Sequence, residues 1–451
     1  MILPKLKHAL ILSICFFVFA QGVAHTQTNT DELAGVFISA IAIDPQNTRI
    51  VYAASPKGVL KSTDGGVSWS APGSDLPTGI TALVVDPKNP DILWAAAYND
   101  YNDGVFKSLN GGINWTKVIN LVGAWTVAVN PQNTALVSVG AGYGDIGSTP
   151  GIANSIDGGN SWHYTSNFNI YALAVDPQNP STIYAGGRDP LTSHVGSGTL
   201  LKSTDGGEHW TAPTASWPFG WVSALAVDPK NPNTIYAGIG SVGFPPGTGG
   251  VGILKSTDGG LNWLSVTASY GPSYVTRLII DPNDTKVLYA TGLASGSALT
   301  FGLWKTTDGG ETWKAISKLE GAHINALAID PKISQTLYLG TESGVWKSGD
   351  GGSTWSANSD FPIITLSYAS CVGGFWYLRV SNALPNSSIQ LFGTSNGEPW
   401  QVSNWRTTYS DGWFAESGTF GPETFGSHSM YVNVGGLNSN TVSFVVSSCK
   451  R

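Results

Sequence analysis

Apolar residues along this chain come in short runs of four to six, each bounded by Asp, Asn, Gly or Pro. Runs of that length between turn residues predict β-strands rather than helices. The runs also repeat. AIAIDPQN from Ala40 returns as ALVVDPKN from Ala82, VAVNPQN from Val127, ALAVDPQN from Ala172, ALAVDPKN from Ala224, RLIIDPND from Arg277 and ALAIDPK from Ala326. A second run follows each of these, in forms such as IVYAAS, TIYAGG and TLYLGT, and the third copy reads LVSVGA. A third run, such as GVLKS over residues 58–62, leads into the box Ser62-Thr63-Asp64-Gly65-Gly66-Val67-Ser68-Trp69. That box recurs from Ser108, Ser155, Ser203, Ser256, Thr306 and Ser348, and a fourth run starts at each box Trp.

The third box position is Asp64, Asn110, Asp157, Asp205, Asp258, Asp308 and Asp350, at intervals of 42 to 53 residues. Four short strands per unit at that period predict the blades of a propeller. Seven units predict an all-β, seven-bladed β-propeller over residues 33–360. A linear solenoid fits less well, because its units carry one or two strands. The box itself reads as turn chemistry. An Asp side chain accepts hydrogen bonds from its own turn, the Gly pair permits positive φ, and a Ser or Thr hydroxyl fastens the other side. The Trp fills space between blades. Asn110 supports a structural role for the series, since an amide keeps the turn but makes a poor acid or metal ligand.

The box, with the DPxN turn and the YAG run before it, resembles the Asp-box, or BNR, repeat of bacterial sialidases, xyloglucanases, sortilins and the photosystem II assembly-factor propeller. The resemblance implies a propeller of the secreted bacterial type. It does not imply one activity, because families of unrelated function share the repeat.

In such a blade the DPxN turn and the box lie on one face, and the loops of variable length lie on the other, where ligand sites tend to form. The variable face is expected to carry Asp100, Tyr101 and Asp103 from the second blade, Tyr143 and Asp145 from the third, and Arg188 and Asp189 from the fourth. Trp125, Tyr171, Trp221 and Tyr274 belong at the tops of inner strands, and Arg277 fills a slot where other blades put Ala or Thr. Aromatic rings beside acids and amides suit a sugar or peptide surface. The same rings could equally plug the channel mouth. Arg277 could anchor an anionic ligand or pair with a neighbouring acid.

The enzyme reading meets two obstacles. A sialidase-like site needs three arginines, whereas the propeller has Arg49, Arg188 and Arg277, with Arg49 in a DPxN turn on the wrong face. Resemblance to xyloglucanases implies a catalytic Asp in the first variable loop, which here reads Ala53-Ala54-Ser55-Pro56-Lys57-Gly58. Paired-acid hydrolysis needs carboxyls about 5–10 Å apart, and no spacing singles out a pair. The expectation is therefore an exported, non-catalytic binding or scaffold propeller for protein or glycan, without catalytic residue, metal or cofactor. The alternative is a glycoside hydrolase of xyloglucanase or sialidase type with a divergent site.

Composition narrows the partners. Charged residues are 12% of the chain and the net charge is −7, which excludes the basic stripe of a nucleic-acid binder. Lys5 and Lys7 ahead of an apolar run from Ala9 to Ala20 predict a signal peptide over residues 1–24 and secretion. That run is too short for a membrane span. In an exported chain Cys371 and Cys449 are expected to form a disulfide. Beyond residue 360 the repeat stops, and FWYLRV, SSIQLF, SMYVNV and TVSFVV predict a small Ig-like or fibronectin-like β-sandwich over residues 365–451.

Overall fold

The structure is a computed structural model that describes residues 36–71, 76–98, 103–142, 151–166, 168–189, 198–213, 220–240, 252–267, 271–294, 301–316, 319, 323–342 and 344–357, and the strands within 363–446. The expected signal peptide and both expected disulfide cysteines lie outside the described residues. Among the described residues, no helix is long and apolar enough to cross a membrane.

Residues 40–357 form seven antiparallel sheets, each built from consecutive strands, as the repeat predicts. In the first blade, Ala40–Ile43 pairs with Val51–Ser55, which pairs with Gly58–Ser62. A Lys61–Ser70 bridge supplies the outer edge. The second blade has all four strands, Ile80–Val85, Leu93–Ala97, Gly104–Ser108 and Thr116–Ile119. Farther along, strands Ile363–Tyr368, Phe375–Ser381 and Phe414–Thr419 make a three-stranded sheet. Strands Ser388–Ser395, Glu398–Thr407, Gly426–Val434, Leu437–Asn438 and Val442–Val446 make a five-stranded one.

The second strand of a blade is buried on both faces, as in VYAAS, LWAAA and IYAGI. Such a strand needs small residues wherever the next blade presses on it. A Cβ at Gly238 would lie 2.5 Å from Val275 Cγ1, and one at Gly340 would lie 2.6 Å from Ile38 Cγ2. The glycine of YAG is thus a socket, and the fully buried β-branched residue of the following blade fills it. Such close packing of small against branched residues is what a dense interior requires.

Polar ties join the same blades. The Tyr of YAG and the Lys of the third strand both donate to the carbonyl of the first box glycine of the next blade. Tyr236 Oη and Lys255 Nζ each lie 2.9 Å from Gly309 O. Tyr289 and Lys305 reach Gly351 O at 3.0 and 2.8 Å, and Tyr184 and Lys202 reach Gly259 O at 3.2 and 3.1 Å. Each Lys also sits over the aromatic ring of its own blade, at 5.3 Å for Lys255 over Tyr236 and 4.8 Å for Lys107 over Trp94, within cation–π range. At the junction of the third and fourth blades, Ser138 and Asn154 replace the pair. Ser138 Oγ donates to Asn154 Oδ1 at 2.7 Å, and Asn154 Nδ2 donates to Gly207 O at 2.7 Å.

The ring closes by the same device. The seventh blade is built from its own strands, Ile324–Ile329, Leu337–Thr341, Gly344–Ser348 and Ser356–Ala357. Tyr338 Oη and Lys347 Nζ donate to Gly65 O in the first blade at 2.9 and 2.7 Å. Ile38 N meets Thr341 O at 2.8 Å, and Lys332 Nζ meets Gln46 O at 2.7 Å.

The box side chains hold the turn that presents those carbonyls. Asp157 Oδ1 accepts from Ser155 Oγ and from the Asn160 and Ser161 amides, Oδ2 accepts from Ser161 Oγ, and Trp162 Nε1 donates to Gly159 O. Gly158 and Gly159 take φ of 71° and 92°, which an L side chain rarely tolerates. Asn110 Oδ1 likewise accepts from Ser108 Oγ and from the Asn114 amide, and its own amide nitrogen donates to Asn114 Oδ1. The Ser161 hydroxyl, then its amide, then the Ser155 hydroxyl hold the Asp157 carboxyl down at about 2. The Asn262 amide and side chain do the same for Asp258, also about 2.

Two outcomes follow from this arrangement. Tyr338→Phe should lower the unfolding free energy by about 1 kcal/mol, the net worth of one buried hydrogen bond, measured by urea unfolding; an unchanged midpoint would show that the closing bond adds nothing. The second concerns acid. A carboxyl whose folded value is depressed contributes stability above its unfolded value near ~3.9 and loses it as pH falls through the folded value. The thermal midpoint should therefore drop between about pH 4 and pH 2, and Asp157→Asn, which copies Asn110, should flatten part of that drop.

Candidate functional site

The inner strand of each blade ends at the DPxN turn, and the box glycine binds back to that turn, as in Gly65 N to Arg49 O at 2.7 Å and Gly111 N to Asp91 O at 2.8 Å. The start of the inner strand therefore lies on the opposite face. There it meets the end of the second strand, as the register Ile80↔Ala97 and Asn169↔Arg188 shows.

At that end the inner strand carries a bulge five residues before the Asp or Asn of the turn. The bulged residues are Thr81, Trp125, Tyr171, Ser223, Thr276 and Asn325. Small hydroxyls in this position fasten blades together. Thr81 Oγ1 donates to Ala96 O and to Ala124 O of the next blade at 3.2 and 2.7 Å. Ser223 Oγ reaches Gly238 O and Val275 O at 3.1 and 2.5 Å.

In the third and fourth blades the bulge presents rings instead. Tyr98 and Trp125 lie 5.1 Å apart at 31°, Trp125 and Tyr171 lie 6.0 Å apart at 77°, and Tyr171 and Trp221 lie 6.0 Å apart at 84°. The result is one continuous row across four blades, each ring half-buried. Trp125 is pinned by its Nε1 to Gly142 O at 2.9 Å. Arg188 caps the row, its guanidinium carbon 5.7 Å from the Trp221 ring centre. Tyr274 and Arg277 stand on the sixth blade, on the long strand Pro272–Ile280 with its two bulges, and Tyr274 acts electrostatically on Tyr171. Arg277 Nη1 donates to Thr276 O at 2.9 Å. Burial pulls the Arg277 guanidinium below its ordinary value, against the pull of Tyr274. Burial raises Tyr171, with Arg188 opposing and Tyr274 reinforcing.

Polar groups around the row are unevenly satisfied. Asn169 Nδ2, Arg188 Nε, Trp221 Nε1 and Asn325 Nδ2 are buried without a hydrogen-bond partner. All four are donors. Asp103 Oδ2 accepts from Gly123 N at 3.0 Å and so holds the loop before Trp125. Asp189 follows Arg188 and is half-buried.

Of the sequence-derived candidates, the structure brings together Trp125, Tyr171, Arg188, Trp221, Tyr274 and Arg277, with Asp103 and Asp189 at the margin. Asp100, Tyr101, Tyr143 and Asp145 lie outside the described residues. Sequence reasoning missed Tyr98, Asn169 and Asn325. Asn325 was detectable, since its slot is Ser or Thr in four other blades. On the box face, Asp205, Glu208 and His209 place potential ligand atoms within 4.8 Å of one another, all exposed. Asp205 is already engaged by Ser203, by the His209 amide and by the His209 ring.

No family model matches the chain. A xyloglucanase from Paenibacillus sp is 30% identical over 142 residues, covering 29% of this chain and 13% of that protein. The photosystem II assembly lipoprotein Ycf48 of a Synechococcus species is 32% identical over 128 residues, covering 27% of this chain and 32% of that protein. Further relatives from Hypocrea jecorina and Acetivibrio thermocellus also bear the name xyloglucanase. The chain thus spans well under two thirds of these relatives. The crystal structure of a GH74 enzyme from Niastella koreensis superposes with a TM-score of 0.56 at 17% identity, covering 92% of this chain and 74% of that one.

These relatives correct the expectation of a non-catalytic binding or scaffold protein, and with it the leaning against an enzyme; they favour the glycoside hydrolase alternative. The physical error lay in tying activity to one Asp in the first variable loop. Glycoside hydrolysis requires two carboxyls at a suitable separation, and any blade can supply them. In fold, the chain is a seven-bladed β-propeller built on Asp-box, or BNR, repeats.

Proposed function

We propose that the chain is a glycoside hydrolase acting on a cell-wall polysaccharide of the kind its xyloglucanase relatives are named for, with the variable face as the sugar-binding surface. The observation that carries this reading is the row Tyr98–Trp125–Tyr171–Trp221, in ring contact across four blades, the first pair tilted and the other two edge-to-face. Rings in a row suit the apolar faces of successive pyranose units, while nearby acids and amides take the hydroxyls. A folded globular substrate would meet such a row at few points, whereas an extended glycan can follow it.

Bond cleavage needs one carboxyl to protonate the leaving oxygen and a second to activate water or attack the anomeric carbon. Asp189 at the end of the Ile183–Arg188 strand, Asp103 beside Gly123 and Glu342 after the Leu337–Thr341 strand are the described acids on this face. Asp189 is the first to test, because it follows Arg188, which caps the aromatic row. Secretion, expected from Lys5, Lys7 and the Ala9–Ala20 run, would bring the enzyme to such polymers.

The direct check is release of reducing ends from xyloglucan and mixed-linkage β-glucan by the purified chain. Asp189→Asn should cut turnover by about 100-fold or more, the usual worth of a general acid or base, with the thermal midpoint unchanged. Full activity in that variant would remove Asp189 from the mechanism, and no turnover on any cell-wall polysaccharide would refute the hydrolase reading.

A further inference from the structure

Trp125 is an inner member of the aromatic row and touches a ring on either side, Tyr98 at 5.1 Å and Tyr171 at 6.0 Å. An indole makes a good sugar platform only while its plane is fixed, because a side chain that is ordered only on binding lowers the affinity. Trp125 sits on the bulge between Ala124 and Thr126, and a bulged residue is left out of the strand ladder. Three bonds take the place of that pairing. Trp125 Nε1 donates to Gly142 O at 2.9 Å, Gly142 N donates to Gly123 O at 2.9 Å, and Gly123 N donates to Asp103 Oδ2 at 3.0 Å. The path begins on a carboxylate of the second blade and ends on an indole of the third.

The two glycines leave little slack in it. Gly123 takes φ of 68°, and a Cβ there would lie 2.6 Å from Gly142 O. A Cβ on Gly142 would lie 2.5 Å from Asn169 Cβ of the fourth blade. Asp103 is anchored in turn through its carbonyl, which accepts from Lys117 Nζ at 3.1 Å. The middle link recurs in other blades, as in Tyr98 N to Gly79 O and Gly240 N to Trp221 O, each at 2.9 Å. The third blade adds the carboxylate at one end and the indole at the other.

We propose that Asp103 is a positioning residue for the ligand. Through Gly123 and Gly142 it fixes the plane of Trp125, and so sets the affinity of the row for a glycan chain without meeting the reacting atoms. A carboxylate suits the task, since its bond to an amide is roughly twice as strong as one to a neutral acceptor. This role rests on the sugar-binding reading of the row.

The test measures the affinity of the full chain for xyloglucan and mixed-linkage β-glucan oligosaccharides by calorimetry, with near-UV circular dichroism of the unliganded protein reporting on the rings. Asp103→Ala should raise Kd by about ten-fold, the order expected when a preorganised group is released, and should alter the near-UV spectrum. Asp103→Asn keeps an oxygen acceptor and should return Kd to within about three-fold of the unaltered chain. Trp125→Phe keeps a ring but loses the Nε1 donor. It should weaken binding to a similar extent, and in the double variant with Asp103→Ala the losses should fall well short of additive, as for two parts of one device.

Unchanged affinity in Asp103→Ala, or losses that add in full, would overturn the positioning role and leave the hydrolase reading intact. If Asp103→Ala fails to fold, Trp125→Phe decides, and affinity equal to that of the unaltered chain overturns the role. Loss of turnover in Asp103→Asn with affinity kept would make Asp103 a reacting carboxyl and would overturn it as well. Absence of glycan binding and of turnover in the unaltered chain would bring down the sugar-binding reading and this role with it.

Discussion

The ring depends on a single acceptor, the carbonyl of the first box glycine. Tyr and Lys side chains of the preceding blade converge on it at the junctions of the fourth to seventh blades and again across the closing seam. A carbonyl has two lone pairs, so both donors can be served at once. The lysine is stabilised twice, by the oxygen and by the aromatic face beneath it. Desolvation pulls Lys107 and Lys305 down, against the push of Asp86 and Asp157 and of Asp281 and Asp350. The tyrosines respond in the same sense, with burial first and then the nearby Asp residues pushing Tyr236 and Tyr338 up to about 12. Both phenols therefore remain protonated donors throughout the physiological range.

The role of the box Asp follows from that constraint. The carbonyl points correctly only while two successive glycines hold positive φ, and the Asp, through bonds to amides three and four residues on, holds them there. The box is therefore an interblade part, although every bond of its Asp is local. The exception at the third junction fits the same rule. Asn154 is too short to reach the first glycine, so it takes the second, sharing Gly207 O with Trp210 Nε1.

Repetition made the architecture legible. Box, DPxN turn and YAG run recur in phase, and their period and strand count define blades without any tertiary information. The role of the YAG glycine was not legible, because the residue that fills its socket belongs to the next blade and begins that blade's inner strand. The aromatic row was half legible. Trp125, Tyr171 and Trp221 stood out as large residues at strand tops, but their adjacency arises from radial stacking, which no linear spacing encodes. Asn325 departs from the Ser or Thr of its slot, but Asn169 looks unremarkable in sequence, and only burial without an acceptor distinguishes it. The functional expectation failed for a related reason: it sought a family's catalytic residue at one loop position, whereas a ring lets equivalent groups enter from any blade.

The two faces divide stability from activity. On the box face most side chains are answered within their own turn or by the next blade, the Trp94 and Trp313 Nε1 atoms being exceptions, so a change there registers as lost structure. On the variable face the same scaffold leaves groups unanswered. Thr81 and Ser223 show what the bulge position does when it serves only the fold: each hydroxyl meets two carbonyls. Trp125, Tyr171 and Asn325 give up such ties. Burial without a partner is shared with the core Trp94, Trp313 and Trp346 Nε1 atoms, so what sets this face apart is the row of rings. A row of half-buried rings running across four blades suits an extended ligand more closely than it suits the packing of the propeller itself.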